Sequence, residues 1–194
     1  MPEGRHIFID GGSHQGQTIR AFEKSSLFSD YDWDIYAFEC NPLLAERLRS
    51  RYSKRDDVII IEKAMWIHNQ GLEFYFGKTD LGGNVVKNRY TAQKKKSIHV
   101  ESVDFGDWLK DNFDIEDTVF IKFDIEGAEY AILDKMFRDR SIRLVDHLYL
   151  ELHSAIMDNF TEKTDKELIE KLERAGIAVE IKESGSKEGD YFSR

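Results

Sequence analysis

Acidic residues close several apolar runs in this chain, and they are where its chemistry can be sought. Ile7-Phe8-Ile9 runs into Asp10, Tyr36-Ala37-Phe38 into Glu39, and Phe120-Ile121-Lys122-Phe123 into Asp124. A fourth run, around Leu150, leads into Glu151-Leu152-His153. Short apolar runs of this kind read as buried strands, and open α/β sheets bind ligands outside the carboxyl ends of their strands. Carboxylates gathered on that edge attract a cation, accept hydrogen bonds from a diol, or orient and take up a proton. His153 adds a side chain whose ordinary pKa of about 6.5 suits a general base.

The first acid is followed by a glycine-rich turn, Gly11-Gly12-Ser13-His14-Gln15-Gly16. Gly11 and Gly12 let the backbone bend and approach a ligand where a Cβ would clash. The dinucleotide fingerprint G-x-G-x-x-G fails, because it needs glycine at Ser13 or at His14. The pattern present is Asp-x-Gly-x-x-x-Gly, through Asp10, Gly12 and Gly16. It resembles the first motif of S-adenosylmethionine (SAM)-dependent methyltransferases. A dinucleotide brings a pyrophosphate and wants an uncluttered helix N-terminus. SAM brings an ammonium and a sulfonium, so an acid beside the turn is welcome. Glu39 follows the turn at roughly the twenty-residue offset at which an acid meets a ribose diol in such folds. An ordinary strand-turn-helix corner, with Glu39 as a surface acid, is the alternative for both features.

Elements must bring these residues together. Gln17 to Lys24 reads as a helix with Ile19 and Phe22 on one side. Asp34 to Cys40 is a strand, and Asn41-Pro42 caps and starts a helix with Leu44 and Leu48 inward. Val58 to Ile61 is expected to be a parallel strand buried on both faces. Leu72 to Phe76 alternates and suggests a further strand, a candidate hairpin partner. Residues Gly77 to His99 read as an irregular excursion holding Gly82-Gly83-Asn84, Arg89, Tyr90 and Lys94-Lys95-Lys96, with a functional or a merely solvated role open. Val100 to Asn112 gives a short strand and a helix turn around Trp108 and Leu109. Thr118 to Asp124 is a buried strand, and the helix entered at Glu126-Gly127-Ala128-Glu129 carries Ile132, Leu133 and Met136. Glu129 suits the dipole of that helix. Asp146 to His153 reads as an alternating strand. Thr164 to Glu167 reads as a capping box for a helix that buries Leu168, Ile169 and Leu172 and stops at Gly176. Ile177 to Ile181 is a last strand, with Tyr191-Phe192 as a candidate closing strand. Strands alternating with helices predict a doubly wound, mostly parallel α/β sheet.

Composition bounds the function. The chain has 194 residues, 41% hydrophobic and 34% charged, which suits one soluble domain over 1–194, whether whole or cut from a larger protein. A net charge of −9 argues against duplex nucleic acid as a partner. One cysteine, Cys40, excludes an intrachain disulfide and suits a reducing compartment such as the cytoplasm. There is no apolar run long enough to span a membrane, and no signal peptide.

Asp124-Ile125-Glu126-Gly127-Ala128-Glu129-Tyr130, with Phe8 to Gly12, Phe38 to Pro42 and Leu150 to His153, resembles the FkbM-type methyltransferase family. The matches keep the family's order and span most of the chain. The resemblance implies a Rossmann-like fold of the class I SAM-methyltransferase type. It implies an O-methyltransferase acting on a sugar hydroxyl of a glycan or glycosylated metabolite. It implies a SAM pocket from Asp10, Gly11, Gly12, Ser13, His14, Glu39, Cys40, Ala64 and Asp124, with Glu62 to Met65 beside the adenine. Cys40 and Ser13-His14 depart from the family pattern.

Methyl transfer is an in-line displacement, so positioning is the main demand, and a general base helps a sugar hydroxyl. His153 is the first candidate base, with Asp124 or Glu151 orienting it or taking the proton. A divalent cation, Mg²⁺ or Mn²⁺, on Asp124, Glu126, Glu151 and His153 is a less favoured alternative. Lys122, inside an apolar strand, needs an acid such as Asp124 or Glu151. His6, His68, His99 and His147 read as structural, and Trp33, Trp66 and Trp108 as packing, with Trp66 and Tyr90 as candidates to stack on a sugar. A nicotinamide-dependent oxidoreductase on the same architecture and a non-catalytic binding module are the competing functions.

Overall fold

The computed structural model describes residues 4–77, 83–86, 96–182 and 192. In chain order these form β1 (His6–Gly11), α1 (Gln17–Phe22), α2 (Ser26–Asp30), β2 (Trp33–Phe38), α3 (Pro42–Arg51) and β3 (Val58–Ile61). Then come β4 (Ala64–Trp66), β5 (Leu72–Phe76), β6 (Gly83–Asn84), β7 (Ser97–Val100), β8 (Ser102–Asp104) and α4 (Phe105–Asn112). The last are β9 (Thr118–Phe123), α5 (Glu129–Asp139), β10 (His147–Leu150), α6 (Glu162–Arg174) and β11 (Ala178–Ile181).

Six strands make one sheet in the order β11-β10-β9-β1-β2-β3, parallel at every registered pair. The chain builds outward from β1 to β3, returns to β9 beside β1, and builds outward the other way. The order reverses between β1 and β9, and a crevice opens above that point. The fold is the expected Rossmann-like, doubly wound one. Period-two alternation explains its two cores. Ile7 and Ile9 of β1 enter one core with Leu109 of α4 and Ile132, Leu133 and Met136 of α5. Phe8 enters the other with Ile19 and Phe22 of α1 and Leu48 of α3. Asn41 accepts the Leu43 amide at 3.1 Å and Pro42 sits in the first turn of α3, as the sequence predicts.

Four expectations change. Among the described residues β3 pairs only with β2, so it is an edge strand, and Ile59 is 37% exposed rather than buried. β10 lies between β9 and β11, and Leu148, Tyr149 and Leu150 are all buried, so its apparent alternation does not mark a solvent face. It ends at Leu150, and Glu151 to His153 follow as a loop. The box that starts α6 is Thr161 with Thr164, each side-chain oxygen receiving the other's backbone amide; Asp165 instead accepts the Tyr130 hydroxyl at 2.7 Å. The stretch expected to be irregular carries strands: β5 pairs antiparallel with both β6 and β7. Arg89, Tyr90, Lys94, Lys95 and Tyr191 lie outside the described residues. The Phe192 ring packs on Phe8 and Tyr149.

Candidate functional site

The glycine turn is stitched from within. The Gly12 and Ser13 amides both donate to the Phe38 carbonyl at the end of β2, at 3.1 and 3.0 Å. The His14 amide donates to Glu39 Oε2 at 2.7 Å, and the Gln15 amide to the Gln17 side chain at 3.0 Å. The Gly16 amide closes on the Ser13 carbonyl at 2.7 Å. Every N–H from Gly12 to Gly16 is therefore used inside the protein, so none of these five amides is offered to a phosphate. Gly12 has φ 75°, and a Cβ there would overlap the Asp124 carbonyl oxygen, so the loops after β1 and β9 touch at the switch point.

Glu39 faces this turn. Its other oxygen accepts the Asn41 amide at 2.8 Å. Burial pushes its pKa up to about 7, against the pull of those two amides and of Lys122. One lone pair on each oxygen remains for a ligand. Cys40, next along, has its thiol pushed well above its ordinary range by burial and by Glu39, which favours the neutral thiol.

Beneath the turn, Asp10 and Lys122 are cross-strand neighbours, and both are buried. Lys122 Nζ lies 3.2 Å from Asp10 Oδ1 and 3.7 Å from Asp124 Oδ2, and it donates to the carbonyls of Gly11 and Gly12 at 3.2 and 3.1 Å. Lys122 thus reaches Asp124, as predicted, and Asp10 as well. Glu151 is held instead by Lys182 at 2.8 Å.

The turn after β9 carries the second half of the site. Glu126 is left-handed at φ 58° and Gly127 stands at φ 104°. Glu129, fully buried in the first turn of α5, accepts the Ile125 and Gly127 amides at 2.8 Å each. It also meets His153 Nδ1 at 3.0 Å. His153 Nε2 then points toward Asp124, 3.7 Å away, and Glu126, 3.9 Å away. Burial alone would lower the His153 pKa, but the three carboxylates raise it to about 9. Burial likewise works against the Asp124 carboxylate, yet Lys122, His153 and Lys182 hold it below its ordinary value. Burial raises Glu126.

A cavity of about 290 Å³ lies above the switch point. Of the predicted cofactor residues, Gly12, His14, Glu39, Cys40, Ala64 and Asp124 line it. Asp10, Gly11 and Ser13 are buried below the wall, where Asp10 pairs with Lys122 and the Ser13 hydroxyl donates to the Asp10 carbonyl at 2.8 Å. They build the turn rather than touch the cavity. His153 and Glu151 stand behind Asp124, just outside it. Glu129 goes beyond its predicted part in the helix dipole: it fixes a turn and a histidine together. Phe74 and Asn84 from the small antiparallel sheet, and Val85 just after it, also line the cavity. Nothing in their spacing announces this, because pairing across a long excursion brings them there.

Ligand atoms of Asp124, Glu151 and His153 lie within 4.8 Å of one another. Each already has a partner of its own, in Lys122, Lys182 and Glu129. Trp66 donates to His68 at 3.0 Å and does not line the cavity. His147 and His99 pair with Glu180 and Glu73, and His6 stacks on Tyr31. Among the described residues no helix is long and apolar enough to cross a membrane.

No curated protein and no solved structure matches the chain. The family model for the methyltransferase FkbM domain matches residues 10–177. That span runs from Asp10 through Glu39, Asp124 and His153 to the residue before β11. It contains both loops that meet at the switch point. The chain therefore belongs to the FkbM methyltransferase family.

Proposed function

We propose that this protein transfers the methyl group of SAM to a hydroxyl oxygen, that of a sugar in a glycan or glycosylated metabolite. The observation that carries the reading is the glycine turn itself. Its amides are all internally bonded, and the side chains beside it, Glu39, Glu126 and Asp124, are acids. Such a site suits a ligand with a ribose and positive charge but no phosphate. A nicotinamide dinucleotide would present its pyrophosphate to a turn whose amides from Gly12 to Gly16 are already taken, which speaks against that reading. A binding module without turnover would have no use for a histidine held on Glu129 and aimed at the cavity edge.

The anchored Glu39 carboxylate takes the ribose diol, and Asp124 and Glu126 face the positive charge. SAM supplies the methyl group: its sulfur–methyl bond breaks as the acceptor oxygen–methyl bond forms, and sulfur keeps the electron pair. His153 takes the hydroxyl proton at Nε2 while Nδ1 donates to Glu129, which fixes the ring. With its pKa raised to about 9 by its carboxylate neighbours, His153 is protonated at neutral pH. With a sulfonium in the cavity, Asp124 and Glu126 offer His153 less negative field, and it yields its proton more readily. A divalent cation is not required in this account, because Lys122 and Lys182 already neutralise the acids that would hold it. The setting is cytoplasmic. The sugar acceptor rests on the family resemblance.

The test is transfer of label from methyl-labelled SAM to a panel of deoxysugar glycans. Label in a glycan, lost in His153→Ala at nearly unchanged SAM affinity, supports the reading. Label found only in amine or carbon acceptors contradicts it.

A further inference from the structure

Acids form only part of the cavity wall. Another part is apolar, where Cys40 and Val85 pack with Ala64 and Phe74. Asn84, next to Val85 in the chain, lines the same cavity. Asn84 is 7% exposed, and its Oδ1 is buried with no hydrogen-bond partner among the described residues. A buried amide oxygen left unpaired is costly, and native structures keep few of them. Asn84 sits on β6, whose backbone pairing with Tyr75 fixes where the amide lies.

We infer that Asn84 reads the exocyclic amine of the adenine base of the methyl donor; this rests on the reading of the cavity as a SAM site. A flat heterocycle fits an apolar wall, and this wall includes Cys40, the residue that follows the ribose acid. The base then presents an amine donor beside a ring-nitrogen acceptor, and a carboxamide matches that pair with its oxygen and its NH₂. The small antiparallel sheet thereby supplies the specificity for adenine, while the main sheet supplies the ribose and charge contacts.

The experiment compares binding of S-adenosylhomocysteine and its 6-deamino (purine) analogue to the wild type, Asn84→Leu and Asn84→Ala. Wild type should prefer the adenine ligand by roughly ten- to a hundredfold, as expected when a buried amide loses its partner. Both variants should bring the ratio close to one, mainly by weakening the adenine ligand. A wild-type ratio near one overturns the inference without needing either variant to fold. So does a preference that survives in a folded variant. If the wild type binds neither ligand, the SAM reading itself fails and the inference falls with it.

Discussion

At neutral pH the Glu39 carboxyl, raised to about 7, is divided between its two protonation states. Ribose binding uses the carboxylate, so SAM affinity should rise with pH through that value. Glu39→Gln should weaken SAM at least tenfold and flatten the pH dependence, as calorimetry at several pH values would show. His153 makes the opposite kind of contribution. Its folded pKa, about 9, lies above the ordinary 6.5, so the stabilisation is complete below pH 6.5 and is lost as pH rises through 9. The size is roughly 3 kcal/mol. Urea melts should show this loss in the wild type and not in His153→Gln. Glu129→Gln should bring the His153 titration, followed by NMR, back toward 6.5. Glu39, Asp124 and His153 were legible as candidates because each follows an apolar run. The work of Glu129 was not, because a first-turn acid looks the same whether it faces solvent or folds back onto its own loop.

At the level of elements, the two loops of the switch point are held by backbone shapes that only glycine takes easily. Gly12 abuts the Asp124 carbonyl at φ 75°, and Gly127 stands at φ 104° against Met157. Gly127→Ala should cost on the order of 2 kcal/mol, from strain plus contact, and lower turnover more than the loss of folded protein explains. Thermal melts beside specific activity would separate the two effects. Most strands and helices were readable, since their apolar periods are clean. Two of the exceptions have one cause. Val58 to Ile61 looks fully buried and is an edge, and β10 looks two-faced and is buried, because neighbour number is set by topology and not by the strand's own residues. Asn84 is hidden for the same reason.

Across the whole molecule, Lys122 joins the two halves of the sheet. It binds the turn after β1 and both acids flanking it, from a position on β9. Lys122→Met should cost about 3–5 kcal/mol, because Asp10 is left charged and unpaired in the core. Much of that should return in Asp10→Asn with Lys122→Met, and urea melts of the three variants complete the cycle. The doubly wound class was legible from alternating elements, whereas the convergence of the antiparallel sheet on the cavity was not. The most direct test of the account is isothermal titration of the whole chain with SAM, with NAD⁺ and NADP⁺ as controls, before and after EDTA. Saturable binding of SAM alone, unchanged by EDTA, is the result this site predicts. Binding of a nicotinamide dinucleotide in place of SAM, or loss of SAM binding with EDTA, would contradict it.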